Sequence, residues 1–418
     1  QKDGFVFSSG DGTLRREGKN WTFNSSAPNM ERERIAKLLA SCKPPRKTEN
    51  TDMSVPVPLW RKELGGNIQR ILPFQSGGQN YIAVAKGREL FVMNEKGVLL
   101  KKVMFGDEIG TVAWQDSQKR LLVGCRNEKV TAVDLDGRKI WEFTSEMAPE
   151  VLKVGPYWHK SAFPGIRTIN IAELTPGKAR IFIGSTGTLE VLDQNGKFEK
   201  RLYVQYGPVD HMTVLPAEDG KSASLLLIRS IGGWPLVHAV SPDLRVKNIG
   251  MAWDASSTDM GAFGFSSVGK TILFPVRFTD GGPVRLAGDF SGAHNRVMVW
   301  DRNGKALADA NLGIDKAGSA VAPYGAACAR QRHIKFIGVD DFDGDGTKEI
   351  AAVTRRKRIF FWTPEMKLKQ MLVLPGMPLT AAASHGQVFL GFDDGRIYSA
   401  DGNGNLSLIG RLNGGIKA

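Results

Sequence analysis

The phrase Ala132-Val133-Asp134-Leu135-Asp136-Gly137-Arg138-Lys139-Ile140-Trp141-Glu142-Phe143 decides the architecture. A short apolar run enters a turn containing Asp and Gly, and a second run rich in apolar and aromatic residues leaves it. Asp can bond its own downstream backbone and Gly supplies positive φ, so the phrase is a β-hairpin. Reading outward, it returns at Val191-Leu192-Asp193-Gln194-Asn195-Gly196-Lys197, Val299-Trp300-Asp301-Arg302-Asn303-Gly304-Lys305 and Ser399-Ala400-Asp401-Gly402-Asn403-Gly404-Asn405. Weaker copies are Met93-Asn94-Glu95-Lys96-Gly97, Val240-Ser241-Pro242-Asp243 and Trp362-Thr363-Pro364-Glu365. With the key residue at 94, 134, 193, 241, 301, 363 and 401, the intervals are 40, 59, 48, 60, 62 and 38 residues. Each unit has room for four strands, and two more precede each hairpin, as Thr168–Leu174 and Ala179–Gly184 do in the third.

Four antiparallel strands repeated around an axis make an all-β β-propeller, read here as a single domain over residues 1–418. A parallel α/β fold is excluded, because the segments between strands are too short and aperiodic for crossover helices. An eighth unit is expected to be split between the termini. Phe5–Leu14 reads as its middle strands, Leu59–Gly66 as an outer strand, and Leu412–Ile416 as the innermost one, closing the ring. Eight blades of about 52 residues are favoured; seven, with residues 1–24 as an appendage, are the alternative. Within the first blade lies an insertion at 25–57, with a short helix expected near 30–41 that Asn29 can cap.

Composition narrows the function classes. The 418 residues carry 56 Lys+Arg against 43 Asp+Glu, a net charge of +13, with 48 Gly that fit many tight turns. No apolar run reaches the roughly 18–20 residues of a membrane-spanning helix. The start at Gln1, without Met or an apolar leader, fits a mature exported chain or an excised piece of a longer one, and a secreted, periplasmic or cell-surface location is expected. Cys42, Cys125 and Cys328 have neither metal-ligand nor disulfide spacing, and Cys125 reads as a buried, inert thiol.

Two resemblances follow. The Ala-x-Asp-x-x-Gly-x-x-x-Trp phrase at 132–141 resembles the quinoprotein-type (PQQ-like) propeller repeat, and Asp-x-Asp-x-Asp-Gly-x-x-Glu at 341–349 resembles the calcium loop of FG-GAP or VCBS propeller repeats. They imply a fold and hardly a function, since propellers host many activities. The vicinal cysteine pair of some quinone-cofactor dehydrogenases is absent, so no PQQ is expected.

Two candidate sites emerge. Asp341, Asp343 and Asp345 alternate along a loop, Thr347 can offer its backbone carbonyl and Glu349 can close a shell of hard oxygens, which suits structural Ca²⁺. An Asp/Gly-rich turn held by side-chain-to-backbone bonds is the plainer reading. The longest connections, about 144–165, 250–262, 279–295 and 312–332, all read as opening on one face. They and their flanks carry Trp158, Lys160, Trp253, Arg285, His294, Arg330, Arg332 and His333, and Trp234 joins them from a short turn. Arginine forks bind carboxylate or sulfate while aromatic faces stack on sugar rings, so an acidic polysaccharide is the ligand class implied. His159 and Tyr157, with Arg167 to neutralise a uronate carboxylate, are the catalytic candidates for β-elimination, the chemistry of a polysaccharide lyase. Whether they turn substrate over stays open. The other function class is a non-catalytic, Ca²⁺-stabilised propeller that docks a protein or polymer. Nucleic acid is disfavoured, because nothing resembles a groove-reading element.

Overall fold

A computed structural model of the chain describes residues 60–153, 164–218, 220–231, 234–249, 273–290, 296–311, 334–354 and 357–412, together with the backbone of three strands within residues 6–25. Apart from two single-turn 3₁₀ segments, the regular structure among these residues is antiparallel β. Blade 1 is Arg70–Ser76, Gln79–Lys86, Glu89–Asn94 and Leu99–Met104; blade 2 is Ile109–Gln115, Arg120–Cys125, Lys129–Asp134 and Lys139–Thr144. Thr168–Thr175, Lys178–Gly184 and Thr186–Asp193 begin blade 3. The long strand Phe198–Leu215 finishes it and then opens blade 4, which continues with Ser224–Ile231, Trp234–Val240 and Val246–Ile249. Blade 5 is Leu273–Val276, Arg285–Phe290, Arg296–Trp300 and Ala306–Asn311; blade 6 is Ile334–Asp340, Glu349–Thr354, Arg358–Trp362 and Leu368–Val373. Blade 7 is Pro378–Ser384, Gln387–Phe392, Arg396–Ala400 and Leu406–Arg411. First strands of successive blades meet from blade 1 to blade 5 and again from blade 6 to blade 7, which places them innermost. The protein is a β-propeller.

Burial explains which strands look apolar in sequence. Second and third strands are covered by neighbouring blades on both faces, so Arg120–Cys125 and Glu349–Thr354 are buried along their whole length. Fourth strands lie at the rim and stay wet, as Leu99–Met104 does. Between blades 3 and 4, Phe182, Leu189, Val191, Leu225 and Leu227 are all fully buried. Each such side chain contributes about 1.5–3 kcal/mol by leaving water.

The repeated turn also locks blades together. Gly196 (φ 90°) lies so close under the indole of Trp141, from the preceding blade, that a Cβ there would enter the ring. The same place on blade 4 is held by Leu244 (φ 59°), whose carbonyl accepts from Lys200 Nζ at 3.2 Å. Both links run from a fourth strand to the next blade's last turn.

Residues 60–69, expected to include an outer strand, form none. Trp60 instead sits over Gly97 and donates Nε1–H to the Glu95 carbonyl at 2.6 Å, doing for blade 1 what Trp141 does for blade 3. The N-terminal sheet runs Val6–Ser9, Gly12–Glu17, Asn20–Ser25, with Gly12–Glu17 in the middle. That sheet has three strands among the described residues; all but Leu412 of the expected fourth, Leu412–Ile416, lies outside them, as do the insertion at 25–57 beyond Ser25 and the helix expected in it. The described strands thus make seven four-stranded blades and one three-stranded sheet.

Candidate functional site

Meander topology sorts the loops by side. Connections between first and second strands, and between third and fourth, open on one side; those between second and third strands, and between blades, open on the other. The acidic loop belongs to the first side, joining the first two strands of blade 6. Gly344 and Gly346, at φ 79° and 86°, let it turn sharply enough for the carboxylates of Asp341, Asp343 and Asp345 to lie within 4.8 Å of one another. Backbone N–H groups take part of this charge. Asp341 accepts from Gly344 at 2.8 Å, Asp345 at 3.1 Å and Gly346 at 3.0 Å, and Asp345 accepts from Thr347 at 2.8 Å. Glu349, 1% exposed, accepts from the N–H of Phe342 at 2.9 Å. Phe342 plugs the core between blades 6 and 7, so the loop is anchored from below.

A residue that the sequence reading missed completes this cluster. Lys369, on the fourth strand of blade 6, pairs through Nζ with Asp343, with Asp345 at 3.0 Å and with Glu349 at 3.1 Å. Burial works against its ammonium, but these three bonds outweigh it and hold the lysine above its ordinary pKa. Lys369 in turn holds the Asp345 carboxyl below its usual value, while burial keeps that of Glu349 raised. The donor set therefore suits a cation, yet the oxygens of three of the five expected ligands converge on Lys369. A calcium shell through all five does not fit with that side chain in place.

The other side carries the expected anion-binding face. Arg167 precedes the first strand of blade 3 and pairs with Asp210, 7% exposed, at 3.0 Å. Arg70 opens the first strand of blade 1, half-buried, donating to the carbonyl of Gln69 at 3.2 Å. No carboxylate pairs with it among the described residues. Burial, and then the like charge of Arg167, lower its pKa. Nearby Glu108 is already taken, by Arg126 at 3.0 Å and by Gln69 at 3.1 Å. A guanidinium that is half-buried, has no carboxylate partner among the described residues and lies within reach of a second positive charge offers an anion more than an exposed arginine does.

The remaining candidates divide. Tyr157, Trp158, His159, Lys160, Trp253, His294, Arg330, Arg332 and His333 lie outside the described residues. Trp234 opens the third strand of blade 4, opposite Ile231, and so lies on the same side as Arg167. Arg285 does not. Residues 279–284 form a first hairpin, with Gly282 N–H bonded to the Thr279 carbonyl at 3.1 Å, and Arg285 pairs with Val276 on the side of the acidic loop. The Gly- and Pro-rich stretch 279–295 looked like one long loop because a whole strand, Arg285–Phe290, runs through it. Arg70 had no signal in sequence beyond its position at a strand start. Cys125 is buried as expected, and burial, reinforced by Asp107 and Glu142, pushes its thiol up to about 12. Of the described histidines, His238 is buried, His211 is exposed and His385 sits in an exposed turn bonded to Ser384 at 2.6 Å.

No protein-family model matches the chain, and no curated protein matches it in sequence. Solved structures are similar in shape. The computationally designed protein Ika8 aligns over 84% of this chain and 89% of its own, at 12% identity and a TM-score of 0.52. Sqt1 from Saccharomyces cerevisiae aligns over 80% and 83%, at 11% identity and 0.55. BamB from Moraxella catarrhalis aligns over 84% and 85%, at 11% identity and 0.48. The first two support the propeller fold and nothing finer.

Proposed function

We propose that the protein is a binding propeller that takes an anionic polymer, with an acidic polysaccharide as the first class to test, on the side where its blades connect. The observation that carries this reading is Arg70: half-buried, without a carboxylate among the described residues, and close enough to Arg167 to feel its like charge. Two guanidiniums at first-strand starts lie near the propeller axis, where a bound carboxylate or sulfate is partly shielded from water and salt. Trp234 lies on the same side and supplies a residue type that stacks on sugars. Catalysis by His159 and Tyr157 would be an addition to this binding role.

Binding of polygalacturonate, alginate, heparin and duplex DNA, followed calorimetrically with and without added salt, tests the proposal. Arg70→Ala should weaken the preferred polymer roughly tenfold, the equivalent of about 1.4 kcal/mol, while Arg285→Ala, on the opposite side, should leave it unchanged. Equal affinity for all four polymers, or equal loss in both variants, would replace a site with a diffuse basic surface. Ultraviolet-absorbing unsaturated ends released from a uronate polymer would add lyase activity. Binding of none of the four would favour the protein-docking alternative.

A further inference from the structure

The acidic loop of blade 6 contains more carboxylate than its turn geometry needs, and the residue that offsets it comes from a distinctive place. In five blades the second residue of the fourth strand is extra relative to the third strand, a β-bulge; blade 7 has its extra residue, Ile409, further along. The extra residues are Leu100, Ile140, Glu199, Leu307 and Lys369 in blades 1, 2, 3, 5 and 6. A bulge re-aims its side chain away from the ladder. In blades 1, 2 and 5 the bulge residue is apolar and exposed to solvent, Leu100 at 42%, Ile140 at 51% and Leu307 at 41%. In blades 3 and 6 it is charged and reaches back across the blade to the first hairpin. Glu199 there meets Arg180 at 2.8 Å and Lys178 at 3.8 Å. Lys369 makes the mirror-image arrangement, a cation delivered to Asp343, Asp345 and Glu349. The reach is thus a property of the bulge position, used twice with opposite sign.

We propose that the Lys369 ammonium is the cation of the 341–349 loop, tethered to the chain in the place where a loop of this sequence would otherwise hold a divalent metal ion. The loop is then metal-independent, and a calcium site is latent beneath the lysine. Two consequences separate this from a lysine that merely decorates a calcium loop. The wild-type protein holds its loop without metal, and removing the ammonium leaves converged carboxylates that only an external cation can neutralise. The inference is independent of ligand binding at Arg70, which lies on the other side of the propeller.

The test uses the whole protein. Thermal melting and calorimetric titration with CaCl₂ are run on the wild type and on Lys369→Met, which imitates the apolar bulge residues of blades 1, 2 and 5. The wild type should melt at the same temperature in chelator and in millimolar calcium. Lys369→Met should melt lower in chelator, recover in calcium, and bind calcium at least roughly tenfold more tightly than the wild type. A wild type whose melt rises with calcium overturns the proposal, and so does a Lys369→Met protein that gains no calcium binding. Should Lys369→Met not fold, Lys369→Gln takes its place, and the wild-type arm still decides by itself: calcium uptake there sinks the idea.

Discussion

Two kinds of aspartate turn occupy the same side of this propeller and solve different problems. In the turns between third and fourth strands a single carboxylate organises the backbone. Asp193 accepts from the N–H groups of Asn195 at 2.8 Å and Lys197 at 2.9 Å, and Asp301 and Asp401 repeat the pattern. Asn94 does the same with no charge at all, accepting from Lys96 and Val98 at 3.0 Å each. Charge is incidental there. In the 341–349 loop backbone donors give Asp341 three bonds but Asp343, Asp345 and Glu349 only one each, and Lys369 meets the rest of their charge. The first kind of turn is closed by peptide dipoles, the second by a full positive charge. Removing one or the other should therefore cost different amounts and respond differently to ions.

The largest effect is expected at Lys369. In chelator, Lys369→Met leaves three converging carboxylates, one of them 1% exposed, without their counter-charge. Loss of one partner from a buried ion pair costs about 3–5 kcal/mol, and the lysine's partial exposure lowers this to about 2–3 kcal/mol. Denaturant unfolding at neutral pH measures it. A loss below that of an ordinary Asp turn would erase the distinction between the two kinds of site.

Next come the glycines on which neighbouring blades rest. Gly196→Ala combines a positive φ with a Cβ directed into the rigid indole of Trp141, and should cost about 2 kcal/mol. Gly404→Ala has the same backbone problem, but meets only the end of the Gln370 side chain, which can move away. Its loss should be smaller. Equal losses would mean that φ alone sets the cost and that the indole contact is unimportant. Asp193→Ala, which abandons two backbone donors that water can partly satisfy, should cost about 1 kcal/mol and be indifferent to calcium.

This ordering also explains how far the sequence could be read. The Asp-x-x-Gly phrase is a local signal with a local cause, so the hairpins at 134, 193, 301 and 401, and with them the propeller, were legible. The acidic loop was legible as a cation-binding pattern for the same reason. Lys369 was not, because its pairing with a loop 20 and more residues upstream depends on a bulge register that the residues Leu368 and Gln370 do not announce. Arg285 was misplaced because Gly and Pro around a real strand blurred the boundary between loop and hairpin. Arg70 was overlooked because its interest lies in having no carboxylate partner among the described residues, a feature of three-dimensional placement alone.

The smallest prediction takes the lysine–carboxylate contact out to the rim, where the comparison can be made without a buried loop. Glu142, on the fourth strand of blade 2, is held by Lys129 and Lys139, each at 2.8 Å. These two bonds, Lys129 first, hold its carboxyl down at about 2, against the usual value near 4.5. A carboxyl depressed in the folded state adds stability above its unfolded pKa and loses it as pH falls toward the folded value. The wild type should therefore exceed Glu142→Gln at neutral pH, and the margin should shrink as pH drops from about 4.5 to about 2. With the side chain 27% exposed and both lysines more so, screening keeps the margin below about 1 kcal/mol. Added salt should reduce it further, whereas the Asp193→Ala loss, which rests on backbone donors, should hardly change. A Glu142 margin that is flat from neutral pH to pH 2, or untouched by salt, would show that its lysines act by packing and not by charge.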